Sequence, residues 1–391
     1  MRSIFDEMTN RRGTFCMKWD GEGDSEGVLP LWVADMDFRT APSVTEAVVR
    51  RASSGIFGYT SVPDIYYDAV CNWFLGRHGW KIERKRIIYT SGVVPALSAI
   101  IKALTKPGDG VILQIPAYNC FFSSIRNNGC QIVENKLVRR DTATGFSYEI
   151  DFDNLEREAA KAENKLLILC NPHNPTGRVW SPGELTRICD ICRRNDVRVV
   201  SDEIHCELVY GVSNGYGYTP YATIDKQAVV CCSPSKAFNI AGLQIANIVC
   251  PDEQTQRLID RAINDNEVCD VNPFGVDGLI AAYNKGGFWL NSLVDYLNGN
   301  YRYLRARFEE LFPEIRVCDS ESTYLAWVDI SATGMDSKTL AERILKKGKV
   351  RISAGDIYGD DDYIRINYAC PRERLAAALD RIIPVIRRCI R

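Results

Sequence analysis

Between about residues 85 and 250 the chain alternates two hydrophobic patterns. Short apolar runs, "RIIYT" (86–90), "GVILQI" (110–115), "CQIVENKL" (130–137), "KLLILC" (165–170), "VRVVSD" (197–202), "AVVCCS" (228–233) and "QIANIVC" (244–250), read as strands. Segments of helical period separate several of them, such as "SPGELTRICDICRRN", whose Ser-Pro opening suits a helix N-terminus. Strands that lack polar alternation are buried on both faces. Separated by helices, they predict an α/β fold with a mainly parallel, seven-stranded sheet covered by helices. Such a sheet holds ligands at the carboxyl ends of its strands. Gly92, Asn171, Asp202 and Ser233 fall at those ends.

After about residue 285 the pattern changes. "GGFWLNSLVDYLNGNYRYLRARFEELF" predicts one long helix, followed by strand-like "STYLAWVDI" and "DYIRINYA" and a last helix opening at Pro371. In that helix Leu375, Leu379, Ile382 and Ile386 share a face, and Pro384 predicts a kink. The first fifty residues have no comparable sheet and are expected to pack with the C-terminal part. The division expected is an N-terminal segment of a small α+β domain (1–48), a large domain (49–285), and a connecting helix with the rest of the small domain (286–391).

Composition narrows the function. The 391 residues are 46% apolar and 25% charged, as in a globular protein, and suit two packed domains. A net charge of −2 gives no electrostatic case for nucleic acid or an anionic membrane surface. No apolar run approaches the roughly 18 residues of a membrane span, and the start predicts no signal peptide. Fifteen cysteines, several inside strand-like runs, point to free thiols in a reducing cytoplasm. Cys189 and Cys192 have redox or metal spacing, but no second pair or histidine follows at zinc-finger distance, so structural thiols are expected. The acids of "GDDDY" lack the spacing of a metal cage. His78 and His173 have no evident partner that would make either a ligand. No metal site is predicted.

Three residues with chemistry leave successive strands. "LCNPHNPTG" (169–177) ends a buried strand in a loop whose prolines fix φ and aim an asparagine amide across the strand end. "RVVSDEIHCELVY" puts Asp202 at the next end, where by itself it reads as a helix N-cap. "CCSPSKAFNIAGLQ" (231–244) puts Ser233, Ser235 and Lys236 at the third, where an ammonium is costly unless it is used. An amide, a carboxylate, a lysine and hydroxyls in one crevice suit a phosphorylated aromatic aldehyde held as a Schiff base, with an acid on its pyridine nitrogen.

The succession "PAYNCFF", "NPHNPTG", "SDEIH", "SPSKAFNIAGL", "YIRINYACPRE" resembles the fold-type-I pyridoxal-phosphate enzymes of the class I/II aminotransferase family. "LPLWVADMDFRTAP" (29–42) and "SPSKAFNIAGLQIAN" (233–247) are similar to its MalY/PatB branch of cystathionine β-lyases or cysteine-sulfur lyases. The resemblance runs from about residue 2 to the C-terminus. It implies that pyridoxal 5'-phosphate is anchored on Lys236, which then shuttles the substrate α-proton. Asp202 pairs with the pyridine nitrogen and Asn174 with the phenolic oxygen. His205 stands where many relatives carry a tyrosine that shares this task, and it could equally be structural. Tyr118 stacks on the ring, although a tyrosine there is by itself mere packing. The phosphate lies on the N–H groups of Gly92, Val93 and Val94, where a strand turns into a helix, and on Ser233 and Ser235. Tyr59 reaches the phosphate of a partner subunit, which implies a homodimer with shared sites. Many aminotransferases carry a phosphate-binding arginine eight residues after the lysine; here it is Gln244.

Arg365, flanked by Ile364 and Ile366, could lie on the solvent face of an edge strand. The resemblance makes it the fork for the substrate carboxylate, with the Val33–Ala34 backbone close by. Trp32, Asp35 and Asp37 are assigned no chemistry. The implied reaction is α,β-elimination from a small sulfur amino acid, L-cystathionine or L-cysteine, to a thiol, pyruvate and ammonia. Residue types do not separate this from transamination, which needs the same base and electron sink. A pyridoxal-phosphate-binding regulator is the third reading.

Overall fold

The computed structural model describes residues 3–21, 27–211, 217–265, 267, 270–311 and 314–390. Its central sheet has seven strands: β1 (Ile87–Thr90), β2 (Gly110–Ile115), β3 (Gln131–Lys136), β4 (Asn164–Cys170), β5 (Arg198–Asp202), β6 (Val229–Cys232) and β7 (Ala246–Val249). Their order is β1-β7-β6-β5-β4-β2-β3, and only β7 runs antiparallel to its neighbours. The mainly parallel α/β sheet expected from the hydrophobic runs is therefore present.

Strand β4 explains why those runs do not alternate. Leu166, Ile168 and Cys170 enter one apolar cluster, with the helices Val93–Leu104 and Glu253–Asn264. Leu167 and Leu169 enter another, with the helix Pro182–Arg194. Both faces are covered, so a polar residue at either phase would be buried unpaired. Cys189 and Cys192 face this second cluster and are packing residues. The register sets Cys170, Asp202 and Cys231 side by side, so β4, β5 and β6 release their loops at one level.

A second, antiparallel sheet contains β8 (Leu325–Asp329), β9 (Ser353–Ala354) and β10 (Tyr363–Asn367), in the order β8-β10-β9. The helix Gly287–Leu311 precedes it, and the helix Arg372–Arg387, which continues through Pro384, follows it. The N-terminal stretch joins this part of the chain. Leu29–Pro30 pairs in parallel with Val350–Arg351, and the Asn367 N–H donates to the Leu31 carbonyl at 2.9 Å. No helix among the described residues is long and apolar enough to cross a membrane.

A buried ion cluster fixes the N-terminal arm. The Asp37 carboxylate meets Lys18 at 3.3 Å, Arg11 at 3.0 Å and Arg374 at 2.8 Å, and accepts from the Trp19 indole at 2.9 Å. Burial pushes the Asp37 pKa up, but Lys18, Arg374, Trp19 and Arg11 outweigh it and hold the carboxyl below its usual range. Removing one partner of such a cluster strands the remaining buried charges. Asp37→Asn is therefore expected to cost about 3–5 kcal/mol in urea unfolding at neutral pH. Because the folded pKa is depressed, the wild-type advantage persists down to about pH 4 and is lost as pH falls through the folded value. An advantage that grew below pH 4 would contradict the assignment.

Candidate active site

The loops that leave β4, β5 and β6 form one wall of a cavity, and the start of the helix Val93–Leu104 forms another. Asn174, Asp202, His205, Ser235, Lys236 and Tyr118 line it, together with Gly92, Val93, Val94 and Ala34. Residues up to 202 positions apart in sequence thus meet at one end of the sheet, on its carboxyl side.

Lys236 is half-buried, and its ammonium donates to the Ala34 carbonyl at 2.8 Å. Burial, and then the positive charge of Arg365, lower its pKa from 10.5 to about 8, against the opposing pull of Asp35, Asp202 and Cys120. Asp202 is buried and accepts the Ile204 N–H at 3.1 Å. Burial raises its pKa to about 6, only partly offset by that hydrogen bond and by Lys236. It forms no ion pair among the described residues. A carboxylate so placed is left open to a cationic ligand group.

Asn174 has its amide orientation set by Arg365, whose Nη1 donates to Oδ1 at 3.2 Å. Arginine can only donate, so the Asn174 NH₂ is the end left for a ligand acceptor. His205 packs edge-on to Tyr324, and its Nδ1 has no partner among the described residues. Burial, then Lys236 and Arg365, drive its pKa down to about 3, so the ring is neutral. Burial and the neighbouring Cys120 thiol push the Tyr118 phenol up.

Gly92 is the N-cap of the helix Val93–Leu104, and Pro95 is its third residue. Because proline has no N–H, the unsatisfied donors concentrate at Gly92, Val93 and Val94, which line the cavity. Gln244 caps the short turn Ala241–Leu243 at φ +51° and does not line the cavity. Ser233 differs from expectation as well. Its hydroxyl donates to the Ile245 carbonyl at 2.5 Å and accepts the Ser235 N–H at 3.0 Å, so it braces the lysine loop, and Ser235 is the serine on the wall.

Arg365 does not face solvent. It lies in the central strand of the small sheet, buried, with its guanidinium 4.6 Å from the Tyr358 ring centroid and Nη2 donating to the Trp32 carbonyl at 3.1 Å. It stands directly behind Asn174. Tyr59 is the opposite case: it is 99% exposed, in an extended segment with exposed Ile56 and Phe57.

Sequence reading missed several residues. Asp35 and Asp37 are structural anchors, because Arg11, Lys18 and Arg374 converge on them. Asn239, three residues after Lys236, sits at φ +54° and clamps the Met36 N–H and the Met36 and Phe38 carbonyls. Its place in "SKAFN" was the available signal, since Asn tolerates left-handed backbone. Tyr324 had none. His78 does have a partner, contrary to expectation: Nε2 lies 2.7 Å from a Glu207 oxygen, with Cys206 beside it. Trp73 and Arg77 already bond that carboxylate, and the arginine charge opposes a metal ion. His173 bonds Thr176 at 2.8 Å and packs on Trp180.

Comparison with known proteins agrees with this geometry. Residues 26–382 match the family model described as "Aminotransferase class I and II". The cystathionine beta-lyase PatB of Bacillus subtilis is 40% identical over 387 residues, 97% of this chain and 98% of that one. A PLP-bound putative aminotransferase from Clostridium difficile superposes with a TM-score of 0.93 at 38% identity, over 98% of this chain and 99% of that one. A PLP-bound C-S lyase from Staphylococcus hominis gives 0.89 at 33% identity, over 98% of both chains.

The site's electrostatics carry a stability cost in the ligand-free chain. A lysine whose folded pKa lies near 8 and unfolded pKa near 10.5 opposes folding fully below pH 8, and the cost fades as pH rises through 10.5. Lys236→Met, similar in volume and uncharged, is expected to stabilise the cofactor-free protein by on the order of 3 kcal/mol at pH 7. The gain should shrink between pH 8 and 10.5 in denaturant titrations. A destabilised Lys236→Met protein would contradict this account.

Proposed function

Because the chain belongs to the aminotransferase class I and II family, we propose that it is a pyridoxal-phosphate-dependent carbon–sulfur β-lyase acting on a small sulfur amino acid. The observation that carries the reading is one cavity shared by a half-buried lysine with a lowered pKa, a buried carboxylate that forms no ion pair among the described residues, and the open start of a helix. That donor set fits the cofactor group for group. Lys236 would hold its aldehyde carbon, Asp202 its ring nitrogen and Asn174 its phenolic oxygen, with His205 on the same wall. Tyr118 would cover the ring, and Gly92, Val93, Val94 and Ser235 the phosphate. Without an arginine at position 244 the dianion rests on backbone N–H groups and hydroxyl, with Ser233 holding that loop in shape.

When bound, the cofactor supplies an aldehyde that takes an amine and a ring that accepts the electrons released with the α-proton. The chain does the rest. Arg365 and the N–H groups of Val33 and Ala34 hold the substrate α-carboxylate, which orients the α-proton toward Lys236. With a pKa near 8, Lys236 is neutral in a useful fraction of molecules near neutral pH and takes that proton as a general base. Asp202 would pair with the ring nitrogen and, held ionised by that positive partner, would favour the ring as an electron sink. A β-thiolate then leaves as the Cβ–S bond breaks. With one water, cystathionine gives homocysteine, pyruvate and ammonia, and cysteine gives sulfide, pyruvate and ammonia.

The working unit is a homodimer in the cytoplasm. Supporting this are the exposed Ile56, Phe57 and Tyr59, which suit contact with a second copy; there Tyr59 reaches the cofactor phosphate of the partner. The thiols in the buried strands are free among the described residues, in keeping with a reducing compartment. Transamination is the second reading, since the Clostridium difficile relative is described as a putative aminotransferase.

The purified protein should be yellow, and borohydride should fix the cofactor to Lys236. With cystathionine and no keto acid, thiol and pyruvate should form in equal amounts. Lys236→Ala should lose at least about a thousandfold in rate, in line with removal of a general base. Absence of thiol, with amino transfer once a keto acid is added, would give the aminotransferase reading instead. Full activity in dilute, monomeric protein would exclude the role of Tyr59.

A further inference from the structure

Every carbonyl from Trp32 to Met36 is held by side chains from distant parts of the chain. Arg365 donates to Trp32 at 3.1 Å, and Asn367 donates to Val33 and Asp35 at 2.5 and 2.7 Å. Lys18 also reaches Asp35 at 3.2 Å, and Arg11 and Asn239 reach Met36 at 2.9 and 3.0 Å. The segment is a rigid rail along the cavity. Its middle carbonyl differs from the rest, because one of its two donors is the lysine that would have to leave it to hold the cofactor. The Ala34 oxygen accepts from Lys236 Nζ at 2.8 Å and from the Tyr324 hydroxyl at 2.9 Å. An amine bonded to a cofactor carbon cannot also remain an ammonium on this oxygen, so Lys236 leaves Ala34 and returns to it.

We propose that Tyr324 is a positioning residue for Lys236: it holds the Ala34 carbonyl as the docking point of the free lysine amine and, by sharing that oxygen, limits how tightly the amine is held. When the lysine departs, Ala34 keeps one donor and does not become a buried orphan acceptor. When the amine returns, it meets an oxygen whose direction has not changed. Tyr324 is built for constancy. It is fully buried, and burial pushes its phenol well above the usual range, so it remains a donor at every working pH. The preceding Thr323 lies at φ +70°, a region that β-branched residues avoid. Its carbonyl accepts from Tyr210 and Tyr368, and its N–H donates to Leu208 at 2.7 Å. The surroundings impose a strained backbone that aims the Tyr324 side chain at Ala34.

The charged and titratable groups facing Lys236 are Arg365, Asp35, Asp202, Cys120 and the neutral His205 ring. Those facing Tyr324 are Asp35, Arg365, Tyr118, Tyr210 and the His205 ring. A change confined to the hydroxyl leaves all of them in place. The inference rests on Lys236 being the cofactor's attachment point, and its test does not use catalytic turnover. The full chain, stripped of cofactor, is mixed with pyridoxal 5'-phosphate at a series of pH values, and the rate of imine absorbance is recorded. That rate follows the neutral fraction of Lys236.

Tyr324→Phe gives the whole Ala34 oxygen to the ammonium. The midpoint of the pH–rate curve should move up by about 0.5–1 unit, so capture below the midpoint slows by about 3- to 10-fold. A stronger donor at the same place, 3-fluorotyrosine introduced at 324, preserves the packing and should move the midpoint down. Tyr368→Phe, which removes a hydroxyl from Thr323 and not from Ala34, should leave it unmoved. Unchanged midpoints in both Tyr324 variants, or a slowing equal at all pH values, would overturn the role of Tyr324. Capture by Lys236→Ala would overturn the attachment point itself, and this inference with it.

Discussion

A charged lysine in a water-poor cavity needs an acceptor that does not move, and the fold is organised around supplying one. The acceptor is the Ala34 carbonyl, 202 residues from Lys236 in sequence. Apart from Lys236 itself, the lysine loop grips this segment through Asn239, at Met36 and Phe38. The rest of the hold comes from behind, from Asn367 and Arg365 on a strand of the small sheet and from the ion cluster at Asp37. The N-terminal arm, the small sheet and the last helix therefore meet at the back of the segment whose front faces the cavity. A disturbance at Lys18 or Arg374 reaches the cavity through one peptide rail, without any direct contact with a ligand.

The division of labour between the two sheets follows. In the large sheet, the level ends of β4, β5 and β6 set out the amide, the acid and the lysine. The small sheet supplies what must grip a carboxylate group and hold the rail. Arg365 belongs to both tasks, since one terminal nitrogen bonds Asn174 on the large-sheet side and the other bonds Trp32 on the rail. That geometry ties the amide on the cavity wall to the arginine behind it, the pair proposed to meet cofactor and substrate, and each keeps the other's rotamer.

The sequence made the strand ends legible because buried parallel strands are long apolar runs, and the first polar residues after them lie on the ligand side. Lys236, Asp202 and the Gly92 helix start could be read that way, whereas Asn171, the first polar residue after β4, bonds the Thr219 carbonyl, and Asn174 on the cavity wall followed only from the family resemblance. Arg365 could not: its neighbours Ile364 and Ile366 are buried too, so the local pattern does not distinguish a solvated edge from a central strand. Ser233 and Ser235 are equivalent in sequence, and only the path of the loop decides which hydroxyl the backbone uses. Asp37, Tyr324 and Asn367 were invisible for a different reason. Their partners lie in other elements, up to 337 residues away, and no periodicity encodes such a contact. The rail is a tertiary object.

The adjacent acids Asp202 and Glu203 show how little composition says about such a site. Both are buried, and burial raises both pKa values, to about 6 and about 7. Glu203 nevertheless has a full set of neutral donors, from Ser201, Tyr218, the Tyr221 N–H and Asn171. Asp202 has one backbone N–H and otherwise faces the cavity. Successive residues of a strand point to opposite faces, so the same chemical group becomes a satisfied core residue at one position and an open one at the next. The cofactor's cationic ring nitrogen would complete Asp202 as the tyrosines and amides complete Glu203. With that pair formed, Lys236 would be the cation on the cavity wall and Arg365 the one behind Asn174, the former proposed to move a proton and the latter to hold a carboxylate. Because position 244 adds no third cation, a phosphate bound there would rest on the N–H groups of the helix start rather than on a side-chain charge.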